Sequence, residues 1–246
     1  MAGEGIDSMR TFALAAVSLT ALATASAAAD LPVAPAAPPP SGWSGFYVGV
    51  NAGGGMGAGT SNFSIGGVTF ATVSNHLSGA IGGVQAGFNW QAGPALFGVE
   101  TDIQASNVKG TITAPCLAAC GLPLSANYSQ KVPWFGTVRG RVGLASPTWL
   151  IYATGGYAYA KLETDASATA AIASATLSLR ETRNGWTVGG GIEVDMGGGF
   201  SGKLEYLYLD FGRHTNTLLL GGALPAIADN ARLTMSVVRA GLNYRF

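Results

Sequence analysis

The chain has 246 residues, and its 13 basic and 13 acidic side chains leave no formal net charge. That balance excludes the basic footprint of a nucleic-acid-binding protein. Charged residues reach only 11% while glycine supplies 37 residues, which fits an ordinary soluble domain poorly. A helical membrane protein fits no better, because beyond the first thirty residues no run of about 18 apolar residues follows.

The start has the form of a targeting segment. In "MRTFALAAVSLTALATASAAAD", Arg10 precedes an apolar stretch from Phe12, and small residues stand at A-x-A spacing at Ala25–Ala27 and Ala27–Ala29. This predicts residues 1–29 as an N-terminal extension and secretory signal, cleaved near Ala27 or Ala29. "MAGEGIDS" carries no positive charge, which marks Met9 as a candidate start; the rival reading is an uncleaved anchor helix. Residues 30–42, "DLPVAPAAPPPSG", favour polyproline II and predict a periplasmic linker.

From residue 43 the chain alternates apolar with polar or glycine positions in stretches of roughly ten to fourteen residues. In "GWSGFYVGVNAGG", Phe46, Val48, Val50 and Ala52 share a face; the overlapping "GGGMGA" at Gly53–Ala58 matches G-x-G-x-x-A. No helical period and no acidic residue before Glu100 follows it, so dinucleotide binding is excluded. "SGAIGGVQAGFNW" sets Val84, Ala86, Phe88 and Trp90 against Gln85 and Asn89. "ALFGVETDIQASN" sets Phe97, Val99, Thr101 and Ile103 against Glu100, Asp102 and Gln104. "PCLAACG" then carries Cys116 and Cys120. In an exported chain these predict a disulfide closing a small loop, with an unpaired couple or a metal site as alternatives; zinc lacks a nearby third ligand.

"VPWFGTVRGRVGL" opposes Trp134, Val138, Val142 and Leu144 to Thr137, Arg139 and Arg141. "WLIYATGGYAYAK" is strand-like with faces that are hard to separate. "NGWTVGGGIEVDM" opposes Trp186, Val188, Ile192 and Val194 to Thr187, Glu193 and Asp195. "FSGKLEYLYLDFG" opposes Leu204, Tyr206 and Tyr208 to Lys203 and Glu205. The chain ends on an eighth stretch, where Val238, Ala240, Leu242, Tyr244 and Phe246 alternate with Arg239, Gly241, Asn243 and Arg245.

"QAGP", "ASPT" and "MGGG" are tight turns, and segments of roughly twenty residues near 56–78, 107–127, 162–182 and 212–230 are predicted as long loops. Short turns on one side and long loops on the other predict an all-β fold: an eight-stranded antiparallel up-and-down transmembrane β-barrel with short periplasmic turns and four long outer loops. The soluble competitor is a lipocalin-like barrel with its apolar face inward. Aromatic residues near the strand ends favour a membrane barrel with lipid-facing girdles. Glu100, Asp102, Arg139, Arg141, Glu193, Asp195, Lys203, Glu205 and Arg239, with Arg245, then point inward. Acidic and basic groups on neighbouring strands lie at similar depth, as cross-strand pairs do. In so narrow a lumen they form either a structural plug or a selectivity filter, the plug being favoured.

"ADLPVAPAAPPPSGWSGFYVGVNAGGG", "KLEYLYLDFG" and "VRAGLNYRF" together resemble the alphaproteobacterial outer-membrane β-barrel family of surface antigens, also labelled porin-family or outer-membrane immunogenic proteins, related in fold to the OmpA membrane domain. The resemblance spans the mature chain and implies an integral outer-membrane barrel. It also implies that Tyr244 and Phe246 act as a C-terminal signal for the barrel assembly machinery. It implies no catalytic residues and no cofactor. Outer-membrane lipids and lipopolysaccharide are then the surroundings, and the apolar segment Leu218–Ala228 is either a strand extension or a surface for a partner or neighbouring barrel.

Three functions follow in order of preference. The first is a structural barrel that supports envelope integrity and displays its loops. The second is a narrow, weakly selective pore for ions or small solutes. The third is an outer-leaflet lipid-modifying enzyme, for which only His76 and His214 are available. Thr215 and Asn216 follow His214 where a serine nucleophile would be wanted, and no obvious acidic orienter follows before Asp229.

Overall fold

The alternation resolves into eight antiparallel strands in a computed structural model that describes residues 42–116, 124–170, 173–218 and 227–246. They are β1 (Gly45–Ile65), β2 (Val68–Ala92), β3 (Ala95–Cys116), β4 (Leu124–Ala145), β5 (Trp149–Ala170), β6 (Ala173–Gly197), β7 (Phe200–Leu218) and β8 (Ile227–Arg245). Each pairs with its sequence neighbours, and β1 closes on β8 from Tyr47↔Arg245 to Ile65↔Ile227, giving a closed barrel. The predicted signal and most of the linker lie outside the described residues. So do Cys120, and with it the cysteine pairing, and residues 219–226 of the apolar segment.

The strands run 19 to 25 residues, about twice the expected length, and take over much of what the sequence predicts as outer loops. The reason at β1–β2 is local: Gly66 and Gly67 have φ of +56° and +85°, so a two-residue hairpin turn replaces the expected loop. "GGGMGA" accordingly lies within β1. The turns at the other end are short, as predicted, at Gly93–Pro94, Ser146–Thr148 and Gly198–Gly199.

Only about ten or eleven residues per strand are needed to cross a bilayer. The outward face shows which ones. Phe46, Val48, Val84, Phe97, Val99, Val138, Ile151, Val188, Ile192, Leu204 and Leu242 are exposed on the half nearest the short turns. This apolar band is bordered below by Trp90–Phe97 and Phe200–Tyr244–Phe246 contacts, and above by Trp134–Tyr159 and Trp186–Tyr208 contacts. Above the upper ring the outward residues turn polar and charged: His76, Lys109, Lys131, Glu163, Arg180 and Arg232. An apolar belt edged by aromatic rings is how a barrel meets a bilayer.

Besides the register shift between Ala105 and Val108 on β3, two bulges sit just above the upper ring. β4 carries an extra residue between Lys131 and Trp134, and β7 one between Asp210 and Arg213. Each shifts the alternation by one residue. Pro133, with no N–H to offer the ladder, occupies the first bulge; Gly212, at φ +70°, occupies the second. Among the described residues the β2–β3 ladder runs up only to Ser78↔Lys109 and the β6–β7 ladder only to Trp186↔Asp210, whereas the other six continue to the strand tips.

Candidate functional site

The lumen of the membrane half is filled by one network of charged side chains. Alternation sends Glu100 and Asp102 inward from β3, Arg139 and Arg141 from β4, Glu193 from β6, Lys203 and Glu205 from β7, and Arg239 from β8, all of them buried. Glu100 stands directly opposite Arg139 in the β3–β4 register, and Glu193 opposite Lys203 in the β6–β7 register. Some bonds follow the sheet, as between Arg139 and Glu100, but others cross the lumen. Arg139 donates from Nη1 to Glu205 at 3.0 Å, from Nη2 to Asp102 at 2.9 Å and to Glu100, and from Nε to Thr137 at 2.9 Å. Lys203 reaches both oxygens of Glu100 at 3.0 Å and forms no hydrogen bond to its register partner Glu193.

Arg239 completes the centre, donating to Glu205 Oε2 at 2.7 Å and to Asp102 at 3.0 Å. Arg141 lies nearer the periplasmic side, donating to Glu193 at 2.9 Å with its guanidinium 4.0 Å from the centre of the Tyr152 ring. Four carboxylates meet four cations, so the interior is neutral. Burial of several charges is tolerable only under such pairing, because each unpaired ion in low dielectric costs several kcal/mol, about 3–5 when a partner is removed.

Neutral groups extend the network. Tyr47 donates to Glu100 at 2.7 Å and Tyr152 to Glu205 at 2.9 Å. Ser201 and Asn243 donate to Glu193 at 2.6 and 2.7 Å. Sequence reading placed Asn243 on the inward phase of the last strand but missed the other three. Tyr47 was legible, since it alternates with outward Phe46 and Val48; Tyr152 was not, because its strand has no clear polar face. Space for the phenols comes from inward glycines: a Cβ on Gly191 would lie 2.7 Å from the Tyr152 hydroxyl, and one on Gly87 would collide with the Tyr47 ring.

Two of the predicted inward charges stand apart. Asp195 meets Arg245 at 3.6 Å beside the β6–β7 turn, and both side chains are partly exposed. The correction is positional: they lie on the inward phase but at the periplasmic rim, below the last closed layer of the lumen. That layer is Trp43, buried against Leu96, Leu150 and Tyr152, with its indole N–H bonded to the Ser146 carbonyl at 2.7 Å and Arg245 stacked 5.2 Å from its ring.

The upper lumen corrects a broader expectation. Here the inward residues are apolar: Leu77, Ile81, Val108, Val132, Phe135, Leu162, Leu207, Leu209, Phe211 and Leu233 pack as one buried cluster. Arg183, paired with Glu181 at Nε–Oε1 2.7 Å, is also buried. His76 lies outward on β2 and His214 is exposed on β7, on strands that are not neighbours. Among the described residues no group of three His, Cys, Asp or Glu side chains is arranged to hold a metal. Tyr244 and Phe246 close the lower aromatic border, and the Phe246 amide bonds the Phe46 carbonyl at 3.0 Å.

Comparison with known proteins agrees with this geometry. The family described as "Outer membrane protein beta-barrel domain" matches residues 12–246. The chain belongs to this family. It is 35% identical over 255 residues to the 31 kDa outer-membrane immunogenic protein of Brucella melitensis biotype 1, covering 97% of this chain and 100% of that one. It is 32% identical over 184 residues to the 22 kDa outer membrane protein of Rhizobium leguminosarum bv. viciae, covering 75% and 70% of the two chains. Among solved structures, the outer membrane protease OmpT of Escherichia coli superposes with a TM-score of 0.54 over 82% of this chain and 97% of that one; at 9% identity the likeness is of fold alone. This family member is therefore an integral β-barrel of the outer membrane, and its relatives are named as outer-membrane proteins and not as enzymes.

Proposed function

We propose that this family member is a structural outer-membrane barrel with a sealed lumen, whose role is to support the envelope and carry its outer strand ends to the surface. The observation that carries the reading is Arg139: fully buried, it ties β4 to Glu100 and Asp102 on β3 and to Glu205 on β7. Three barriers lie in series along the axis. Trp43 caps the periplasmic end, the neutral charge network fills the middle, and the apolar cluster around Phe135 occupies the upper part. Water and ions would have to separate paired charges and then cross an apolar constriction, and each step is unfavourable. No catalytic role is proposed.

Planar-bilayer conductance tests this. The wild type is expected to be silent. Arg139→Ala with Arg141→Ala opens the middle barrier only, so it too is expected to stay silent. Adding Phe135→Ser and Leu209→Ser to that pair is expected to give stepwise conductance. Steady wild-type currents would reverse the reading in favour of a narrow pore. The envelope role has its own test: a deletion strain should leak periplasmic enzymes, and an intact envelope would count against it.

A further inference from the structure

The outward wall above the upper aromatic ring carries a charge imbalance that the sealed lumen does not explain. Among the described residues Lys109, Lys131, Lys161, Arg180, Arg213 and Arg232 face outward there, against Glu163, Asp165 and Asp210, so six cations meet three carboxylates and three positive charges are left over. The carboxylates serve Lys131, Lys161 with Arg180, and Arg232. Among the described residues Lys109 and Arg213 form no ion pair, although the charge of Asp210 also acts on Arg213.

Arg213 is the more telling case. It stands directly opposite Arg232 in the β7–β8 register, and Arg232 stands opposite Thr60 on β1. Like charges facing each other across a ladder are destabilising, and the two guanidinium groups share a single carboxylate, Asp210, which pairs with Arg232. The two arginines, Thr60, Asn62, Thr69 and Asn230 line an outward cavity of about 540 Å³. Asn62 and Asn230 use their side-chain oxygens to accept bonds from Thr72 and Thr215, which leaves their amide N–H groups as donors. Among the described residues the lining therefore consists of guanidinium, amide and hydroxyl groups with no carboxylate among them.

We propose that this cavity binds a phosphate of outer-leaflet lipopolysaccharide. Guanidinium pairs match phosphate oxygens bidentately, and an anion between Arg213 and Arg232 removes the repulsion that the bare wall retains. Height selects the source: the site lies just beyond the Trp186–Tyr208 border, on the side away from the short turns, where the phosphorylated sugar heads of the outer leaflet reside. The proposal rests on the outer-membrane placement of the barrel, not on whether its lumen is sealed.

Native mass spectrometry of the refolded full barrel in detergent tests it, with bisphosphorylated lipid A, dephosphorylated lipid A and inorganic phosphate as probes. Bisphosphorylated lipid A is expected to remain bound to the wild type and to be retained about tenfold less by Arg213→Gln with Arg232→Gln. Dephosphorylated lipid A is expected to dissociate from both. Arg213→Gln alone leaves the Asp210–Arg232 pair in place and is expected to lose about threefold, so a double variant that fails to fold does not end the test. Equal retention by wild type and variants, or equal binding of the dephosphorylated lipid, would overturn the proposal. Displacement by inorganic phosphate at matched concentration would show a small-anion site and overturn it as well. Conductance reads the sealed lumen separately, so a silent barrel without lipid A affinity overturns only the lipid site.

Discussion

Arg139 on β4 and Glu205 on β7 meet across the lumen at 3.0 Å, although two strands separate them in sheet order. Glu205 also accepts from Tyr152 on β5 and from its register partner Arg239 on β8, so one carboxylate holds its neighbour and two strands beyond it. Such a bond braces the wall from inside, where register pairing alone joins only neighbours.

Glu205→Gln should therefore be strongly destabilising. It leaves Arg139 and Arg239 short of a counter-charge in a dry interior, and about 3–5 kcal/mol is expected to be lost. Urea unfolding of the lipid-reconstituted barrel reads this directly. A loss under about 1 kcal/mol would mean that the remaining acids absorb the imbalance and that the network is slack.

Gly87 offers a steric test of the same interior. An alanine there drives its methyl into the Tyr47 phenol, an overpacking expected to cost about 1–3 kcal/mol. Tyr47→Ala removes the obstacle together with its bond to Glu100. In a double-mutant cycle the two changes should be less harmful together than their sum. Simple additivity would show that the ring has another position available.

Outside the bilayer, Asp210 governs the β7 bulge by accepting from the Gly212 amide at 2.8 Å and from Arg232 at 2.6 Å. Its burial works to raise the carboxyl, but the Arg232 and Gly212 hydrogen bonds and the nearby arginine charges outweigh it and hold the group below the usual carboxylate range. A depressed carboxylate contributes stability that is full above its unfolded value and disappears as pH falls through the folded one. Amide exchange at Gly212 should thus be faster in Asp210→Asn than in wild type at neutral pH, with the gap closing only below about pH 4. A gap that closes between pH 7 and pH 5 would assign the protection to another group.

The membrane half was legible because it obeys an unbroken period of two: "ETDIQ" and "VRGRV" separate lipid from lumen by alternation alone. The upper half was not, for two physical reasons. Bulges at Pro133 and Gly212 change phase mid-strand, so counting from Thr137 places Val132 on the wrong face. Above the bilayer both faces are also mixed in polarity, with water outside and an apolar cluster inside. Leu77, Val108 and Leu162 then read as loop residues amid glycine, serine and threonine. The contrast between Asp195 and Glu193 failed for a different reason: alternation gives a side chain's direction but not its depth, and two residues along the strand were enough to move from lumen to rim.

The incomplete β2–β3 and β6–β7 ladders divide the outer half into two four-stranded lobes, β7-β8-β1-β2 and β3-β4-β5-β6. The β6–β7 ladder ends at the aromatic ring that marks the top of the bilayer, and the β2–β3 ladder a few residues above it. A peptide group facing hydrocarbon has only another strand for a partner, whereas one facing water has the solvent. The cylinder is thus complete where its surroundings offer no hydrogen bonds and parted where they offer many. The surface of the cell is met not by a rim but by two jaws, each free to take up substitutions and insertions at its margins without loosening the wall that seals the membrane.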